Sequence, residues 1–191
     1  MGFTPIATTR SATGTPTGRL AVWWLIVSEI VIFGGVLGSY IMHRLGHPEW
    51  AYDAVHTNVW IGGANTLVLL TSSYFAVRAH HEAEQKNGEG AFRFLMGAVG
   101  GGLVFLIFKS VEWYTEISHG YTITKSTFWS FYYTAAGIHG LHVIIGAFIM
   151  AIIAFAARKG ENLHRVELIG IYWHFVDLVW IFLFPLLYIA K

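Results

Sequence analysis

Ten polar or ionisable side chains interrupt the long apolar stretches of this 191-residue sequence. Such a side chain is costly in a lipid bilayer, so it usually faces other helices or a water-filled cavity, where it forms pairs or transfers protons. The chemistry open to these residues is therefore proton transfer or hydrogen bonding between helices. They are Glu29, Asn65, Thr66, Lys109, Glu112, His139, His142, Glu167, His174 and Asp177.

Glu29 is the candidate proton-handling residue. Its neighbours along the chain are apolar, and no cation in the same stretch can reach its carboxyl group. A carboxyl group in such surroundings is either paired with a group on another helix or kept neutral by a bound proton. In either state it can take part in proton transfer.

Two pairs of ionisable residues are three positions apart, a spacing that places both members on one side of a helix. Lys109 and Glu112 are predicted to neutralise each other near a membrane interface, with the lysine side chain extended toward water. His174 and Asp177 are predicted to lie deep in the bundle and to hydrogen-bond to each other or to a neighbouring helix. The other residues expected to have structural roles between helices are Asn65, His139, His142 and Glu167.

Histidine is the residue type from which a metal or haem site would be built, because the chain has no cysteine. Two axial haem ligands must lie at the same depth. At about 1.5 Å per residue, His174 is expected about 10 Å from the cytoplasmic face and His142, on a helix of opposite direction, about 22 Å. No HExxH motif or acidic triad occurs. We therefore predict no catalytic residue, no metal site and no redox spectrum for this chain.

The composition is that of a polytopic membrane protein. Hydrophobic residues make up 55% of the chain and charged residues only 12%, whereas about a quarter of the residues of a soluble domain are charged. The formal net charge of +1 leaves no basic excess for nucleic acid.

Five apolar stretches, each long enough to cross a bilayer as a helix of about twenty residues, predict an all-α bundle of five transmembrane helices. We expect these spans at residues 20–41, 59–77, 94–114, 128–157 and 168–189. Residues 1–19 are predicted to form a mobile cytoplasmic tail and not a cleaved signal peptide, which leaves residues 20–191 as the membrane domain. The charged stretch Arg78–Arg93 is predicted to be a loop.

The distribution of Lys and Arg predicts the orientation of the bundle. With five spans, eight of these residues fall on the side of the amino terminus and three on the other side. Positively charged loops stay on the cytoplasmic side of a membrane. The amino terminus is therefore predicted to be cytoplasmic and Lys191 to lie outside.

Pairs of small residues four positions apart indicate where helices can approach closely. We expect a compact bundle with close contacts at three such pairs. They are Gly34 with Gly38, Gly97 with Gly101, and Ala136 with Gly140.

Five motifs occur in order along the chain. They are WWLIVSEIVIFGG (Trp23–Gly35), NTLVLLTSS (Asn65–Ser73), KSVEW (Lys109–Trp113), GIHGLHVIIG (Gly137–Gly146) and YWHFVDLVWIFLF (Tyr172–Phe184). Together they resemble subunit III of the haem–copper terminal oxidases, the cytochrome c oxidase subunit 3 family. Glu167 falls where that family has a glutamate ahead of its Tyr-Trp-His run. The family's long members have seven spans, and this chain resembles the short bacterial form with five.

The resemblance implies an accessory subunit, non-catalytic alone, of a proton-translocating oxidoreductase that reduces oxygen to water in aerobic electron transport. Family members bind no haem or copper, which subunits I and II hold. They lie beside subunit I, here expected in the bacterial cytoplasmic (inner) membrane, and support proton uptake and stability. Glu29 matches the family's intramembrane glutamate, which reacts with hydrophobic carbodiimides. Membrane lipids are expected partners, while a bound phospholipid, a subunit IV and a larger respiratory supercomplex are left open.

Two alternatives stay open from the sequence. The electron donor is set by other subunits, so cytochrome c is favoured, but a quinol oxidase or a homologue associated with nitric oxide reductase would carry a similar subunit. A different class is a free-standing proton or ion transporter with Glu29, Glu112 and Asp177 as relay groups. Internal repeats would favour the transporter, and we find none between the two halves of the sequence.

Overall fold

The computed structural model describes residues 17–47 and 49–189, and all regular secondary structure in these ranges is helical. The predicted tail up to residue 16 and the predicted external Lys191 lie outside the described residues. The helices are α1 (Thr17–Gly46), α2 (Trp50–Ala54), α3 (Val59–Glu84), α4 (Gly88–Ser118), α5 (Thr127–Arg158) and α6 (His164–Phe184), which a π-helical turn (Pro185–Ile189) continues.

Four of these segments are long and apolar enough to cross a membrane. They are α1, α4, α5, and α6 together with its π-helical turn. Helix α3 has 26 residues, which is enough for a span, but its sequence contains more polar residues. The described part of the chain is thus an all-helical protein with several helices of membrane-crossing length.

Helix α5 begins and ends within one residue of the fourth predicted span, 128–157. Ser126 caps its start, since the hydroxyl oxygen accepts a hydrogen bond from the backbone N–H of Trp129 at 3.5 Å. Helix α1 begins three residues before its predicted start, so residues 17–19 of the predicted tail are helical.

The prediction of a loop at Arg78–Arg93 is wrong for most of its length. Helix α3 continues to Glu84 and α4 begins at Gly88, so only residues 85–87 connect them. Pairs four residues apart stabilise these charged helix ends. The pairs are Arg78 with Glu82 at 4.0 Å, His80 with Glu84 at 3.5 Å, and Arg93 with Glu89 at 3.4 Å. The charges indicate where the apolar part of each helix stops, not where the helix stops.

Helices α3 and α4 approach closely at the small residues that the sequence singled out. A Cβ atom added at Gly101 would lie 2.6 Å from the Cβ of Ser72, and one added at Gly97 would lie 3.1 Å from the ring of Phe75. Larger residues at these positions would push the two helices apart. The close contact predicted for this pair is confirmed.

Trp173 of α6 fills the centre of the bundle and is fully buried. Its ring lies in a recess made by glycines of two helices, since an added Cβ would be 2.8 Å from the ring at Gly102 and 3.0 Å at Gly146. The indole N–H donates to the hydroxyl of Ser72 at 3.0 Å, which donates to the carbonyl of Ala98 at 2.7 Å. Three helices therefore fix the position of this ring.

Helix α1 lies at the side of the bundle, against α5 and α6. Its buried side chains are Ile26, Phe33 and Tyr40, spaced seven residues apart as in a coiled-coil seam. Gly34 and Gly38 have no atom within 4 Å of an added Cβ. The close helix contact predicted there is wrong, because these glycines lie on the exposed face of α1.

Candidate functional site

Glu29 of α1 and His142 of α5 form a pair between two helices. Glu29 Oε2 lies 3.0 Å from His142 Nε2, and each side chain is 15% exposed. The two atoms are close enough for an ion pair, but they are not aligned as a hydrogen bond. The other ring nitrogen, Nδ1, lies 2.7 Å from the carbonyl oxygen of Ile138, and Phe33 packs edge-on against the imidazole at 5.2 Å. Of the two states considered for Glu29, the structure shows the one paired across helices.

The contact with the carbonyl of Ile138 determines which ring nitrogen of His142 carries a hydrogen. A carbonyl oxygen only accepts hydrogen bonds, so Nδ1 carries a hydrogen and Nε2 is the nitrogen that gains or loses a proton. One proton between Nε2 and Oε2 gives either imidazolium with carboxylate or imidazole with carboxylic acid. Both forms have the same net charge, so the pair can hold a proton without leaving a buried charge uncompensated.

Lys109 and Glu112 form the predicted pair, with Lys109 Nζ 3.0 Å from Glu112 Oε2. The prediction that the lysine side chain extends toward water is wrong, because Lys109 and Glu112 are only 4% and 2% exposed. Lys109 also donates to the hydroxyl groups of Tyr132, at 2.8 Å, and Tyr188. Its side chain points between α4, α5 and the π-helical turn, where these acceptors replace water.

Glu116 extends this cluster by one helix turn. Its Oε1 accepts a hydrogen bond from Tyr132 at 2.9 Å, while Tyr188 donates to Glu112 Oε2 at 2.9 Å. Sequence reasoning missed Glu116 because it follows the apolar part of the third predicted span. A signal was present, since residues four apart share a helix face and Glu112 was already singled out.

His139 and Asn65 are fully buried, as predicted for residues between helices. The imidazole of His139 stacks on Trp180 at 5.2 Å and meets Phe105 edge-on at 5.5 Å. Among the described residues, neither ring nitrogen of His139 and neither amide atom of Asn65 has a hydrogen-bond partner. Thr66, next to Asn65, accepts a hydrogen bond from the indole N–H of Trp180 at 3.0 Å.

His174 and Asp177 differ in burial. Asp177 is 3% exposed, but His174 lies on the exposed surface of α6, so the prediction that both lie deep in the bundle is wrong for the histidine. His174 Nδ1 is 2.5 Å from the hydroxyl of Ser73 on α3. The apolar composition of α6 on all sides gave no sequence signal for which side faces outward.

Glu167 lies at the start of α6 and pairs with Arg19 at the start of α1. Both side chains are partly exposed. This contact joins the first turns of the two helices at one end of the bundle. Arg19, which was predicted to be part of the tail, therefore belongs to a helical turn that contacts α6.

The histidine and acidic side chains of residues 17–47 and 49–189 are dispersed through the bundle. Within those residues, no three or more His, Cys, Asp or Glu side chains are grouped so that they could hold a metal ion. His139 and His142 lie on one helix, with the ring of the first against Trp180 and that of the second against Glu29.

Long apolar helices with ionisable pairs between them define a polytopic membrane protein that holds charged groups within its bundle. The family model of cytochrome c oxidase subunit III matches residues 9–191. The chain therefore belongs to the cytochrome c oxidase subunit III family, the third subunit of haem–copper oxidases, as its motifs predicted.

Curated relatives agree with this family over most of the chain. The cytochrome c oxidase subunit 3 of Thermostichus vulcanus is 30% identical over 169 residues, which cover 86% of this chain and 83% of the relative. The probable cytochrome c oxidase subunit 3 of Mycobacterium leprae is 33% identical over 175 residues, with 89% and 86% coverage. The similarity thus extends over the whole helical bundle.

Proposed function

We propose that this chain is the accessory, non-redox subunit III of a cytochrome c oxidase in a bacterial cytoplasmic membrane. It lies beside subunit I of a complex in which subunits I and II hold the haem and copper centres. Family membership over residues 9–191 carries this proposal. The role is to stabilise the complex and to support its proton uptake while oxygen is reduced to water.

The proposed topology has five spans, with α3 as the second, a cytoplasmic amino terminus and residues 20–191 as one membrane domain. Contacts from the middle of α3 support its assignment as a span. Thr66, Ser72 and Ser73 contact residues in the middle of α6. A helix that contacts the middle of a membrane-crossing neighbour lies at the same depth. Its polar side chains face other helices at these contacts, as expected within a bilayer.

Glu29 is the proposed proton-handling residue, and His142 is the group that shares its proton. The 3.0 Å contact between the two residues supports this role, since a proton that passed from Nε2 to Oε2 would leave the net charge of the pair unchanged. The structural roles proposed for the other polar residues rest on their positions between helices. They are Asn65, Lys109, Glu112, His139, Glu167, His174 and Asp177.

Two substitutions separate proton handling by Glu29 from a packing role. Glu29→Gln keeps the size of the side chain but cannot ionise, so we expect normal assembly with altered proton uptake or faster inactivation during turnover. Glu29→Ala removes the contact with His142 and should also weaken the attachment of α1. The measurement is oxygen consumption by the assembled complex and its decay during sustained turnover. Wild-type behaviour of Glu29→Gln at every pH would refute the proton-handling role.

Native electrophoresis in mild detergent tests membership in the complex. Comigration of the chain with haem absorbance and with subunits I and II is the expected result. A colourless band that contains only this chain would favour the transporter alternative. Cytochrome c and quinol as substrates of the same purified complex distinguish the two kinds of oxidase.

A further inference from the structure

A cavity of about 290 Å³ lies at the end of the bundle where α4 ends and α3 begins. The residues that line it include Glu112, Thr115, Glu116, His56 and His119. We refer to it as the carboxylate cavity. Its volume holds several water molecules, because one water occupies about 30 Å³ in the liquid.

Glu112, one of the residues that line this cavity, has an unsatisfied acceptor. The residue is 98% buried, and its Oε2 accepts from Lys109 and Tyr188. Its Oε1 is also buried, yet it has no hydrogen-bond partner among the described residues. A buried carboxylate oxygen without a partner is strongly disfavoured, so Glu112 already carries one unsatisfied acceptor beside Glu116.

Lys109, Tyr188 and Tyr132 are side chains that donate to the carboxylates of Glu112 and Glu116. Lys109 has three N–H groups, and they are directed to Glu112, Tyr132 and Tyr188. The single hydroxyl hydrogen of Tyr188 is directed to Glu112, and that of Tyr132 to Glu116. All three N–H groups of Lys109 therefore donate to Glu112 and to two tyrosine hydroxyl groups, and none donates to Glu116.

Among the residues that the structure describes, Glu116 has one firm hydrogen bond and no ion-pair partner. Its Oε2 lies 3.5 Å from the hydroxyl of Tyr133, but that hydroxyl has one hydrogen and donates it to the carbonyl of Tyr121 at 2.7 Å. Glu116 is only 6% exposed. An uncompensated ionised carboxylate at such a site is strongly disfavoured.

The charges around Glu116 leave an excess of one negative charge when both carboxylates are ionised. Lys109 is the one cation among the described side chains that contact the cluster. The titratable groups that face Glu116 are Lys109, Glu112 and His119 from α4 and its end, Tyr132 and Tyr133 from α5, Tyr188 from the π-helical turn, and His56 and Tyr121 from the connecting segments.

We propose that Glu116 binds one exchangeable proton, which it takes up from water in the carboxylate cavity. The step forms an O–H bond at the Glu116 carboxylate and converts a hydronium ion of the cavity into water, and release is the reverse. The cluster is then neutral, with Lys109 balanced by Glu112 and with a carboxylic acid at Glu116. This proton site is separate from Glu29 and His142, which lie between α1 and α5.

Infrared spectroscopy of the assembled complex tests the proposal. The spectrum of the wild type minus that of Glu116→Gln should contain the carbonyl band of one protonated carboxyl group, with a shift in D₂O. The control is Glu161→Gln in the exposed loop before α6, for which the difference at neutral pH should contain only carboxylate bands. If the Glu116→Gln difference also contains only carboxylate bands, the proton site is refuted.

Two further measurements test whether the cation bound at Glu116 is a proton and whether that proton enters through the carboxylate cavity. A sodium or potassium ion could supply the same positive charge, so carboxylate bands of Glu116 that change with salt at constant pH would overturn the proton assignment. Thr115→Leu fills part of the carboxylate cavity and keeps both carboxyl groups. It should slow exchange of the carboxyl proton in D₂O by at least about tenfold, and an unchanged exchange rate would refute uptake through the cavity.

Discussion

Gly102→Ala should destabilise this subunit although it adds a single methyl group. The added carbon would lie 2.8 Å from Cη2 of Trp173 and 3.1 Å from Cζ2, well inside ordinary van der Waals contact. The indole cannot move aside, because Gly146 borders it closely on α5 and its N–H is bonded to Ser72. The clash must therefore be relieved by separation of α4 from α6.

The expected cost follows from this geometry. Overpacking of a filled core costs about 1–3 kcal/mol, and the fixed indole places Gly102→Ala in the upper part of that range. Gly100→Ala is the matched control, since an added Cβ at Gly100 has no atom within 4 Å. On helix propensity alone, alanine should stabilise α4 at this control position by up to about 1 kcal/mol.

The assay is the fraction of subunit retained in the purified complex as the mole fraction of a denaturing detergent rises. We expect an earlier midpoint for Gly102→Ala and an equal or later midpoint for Gly100→Ala. Combination with Trp173→Leu should remove most of the effect of Gly102→Ala, as a coupling of about 0.5–3 kcal/mol between contacting residues. Equal midpoints for the two alanine variants would refute the packing argument.

Three further substitutions have expected outcomes. Asp177→Ala opens a void at a buried position, whereas His174→Ala shortens an exposed side chain. Asp177→Ala should therefore reduce retention of the subunit more, by about 0.5–3 kcal/mol, and equal retention of the two variants would contradict this. Asn58→Ala removes the cap that accepts from two backbone N–H groups of α3. It should lower the free energy of unfolding in detergent by about 0.5–2 kcal/mol, whereas an unchanged midpoint would exclude a capping role. Arg19→Ala breaks the partly exposed contact with Glu167, so its cost should be at most about 1 kcal/mol and should disappear at high salt, which unfolding at two ionic strengths would measure.

Helix positions were largely predictable because hydropathy identifies apolar stretches of membrane length. The fourth predicted span matches α5 closely, since Ser126 and Arg158 bound a long, mostly apolar run without Asp, Glu, Lys or Arg. The helical ends at Arg78–Glu84 and Gly88–Arg93 were not predicted. Hydropathy reports where the apolar part ends, while ion pairs within a helix extend it into water.

The partners of the polar residues were less predictable than their positions. The pairing of Lys109 with Glu112 follows from local spacing, whereas that of Glu29 with His142 joins residues 113 positions apart. Contacts of the second kind depend on how each helix is rotated in the bundle. An apolar helix such as α6 carries no pattern that fixes its rotation, which is why the exposure of His174 was missed.

The seven-residue spacing of Ile26, Phe33 and Tyr40 has a consequence for the angular position of α1. Each residue turns the helix by about 100°, so a slip of one residue would turn all three side chains out of the bundle together. Glu29 lies three positions after Ile26 and four before Phe33, on the same stripe. The same slip would therefore carry its carboxyl group away from His142. Rotation of α1 about its own axis would therefore separate Glu29 from His142. A lipid or subunit that binds the exposed face of α1 and rotates the helix would control this contact from outside the bundle.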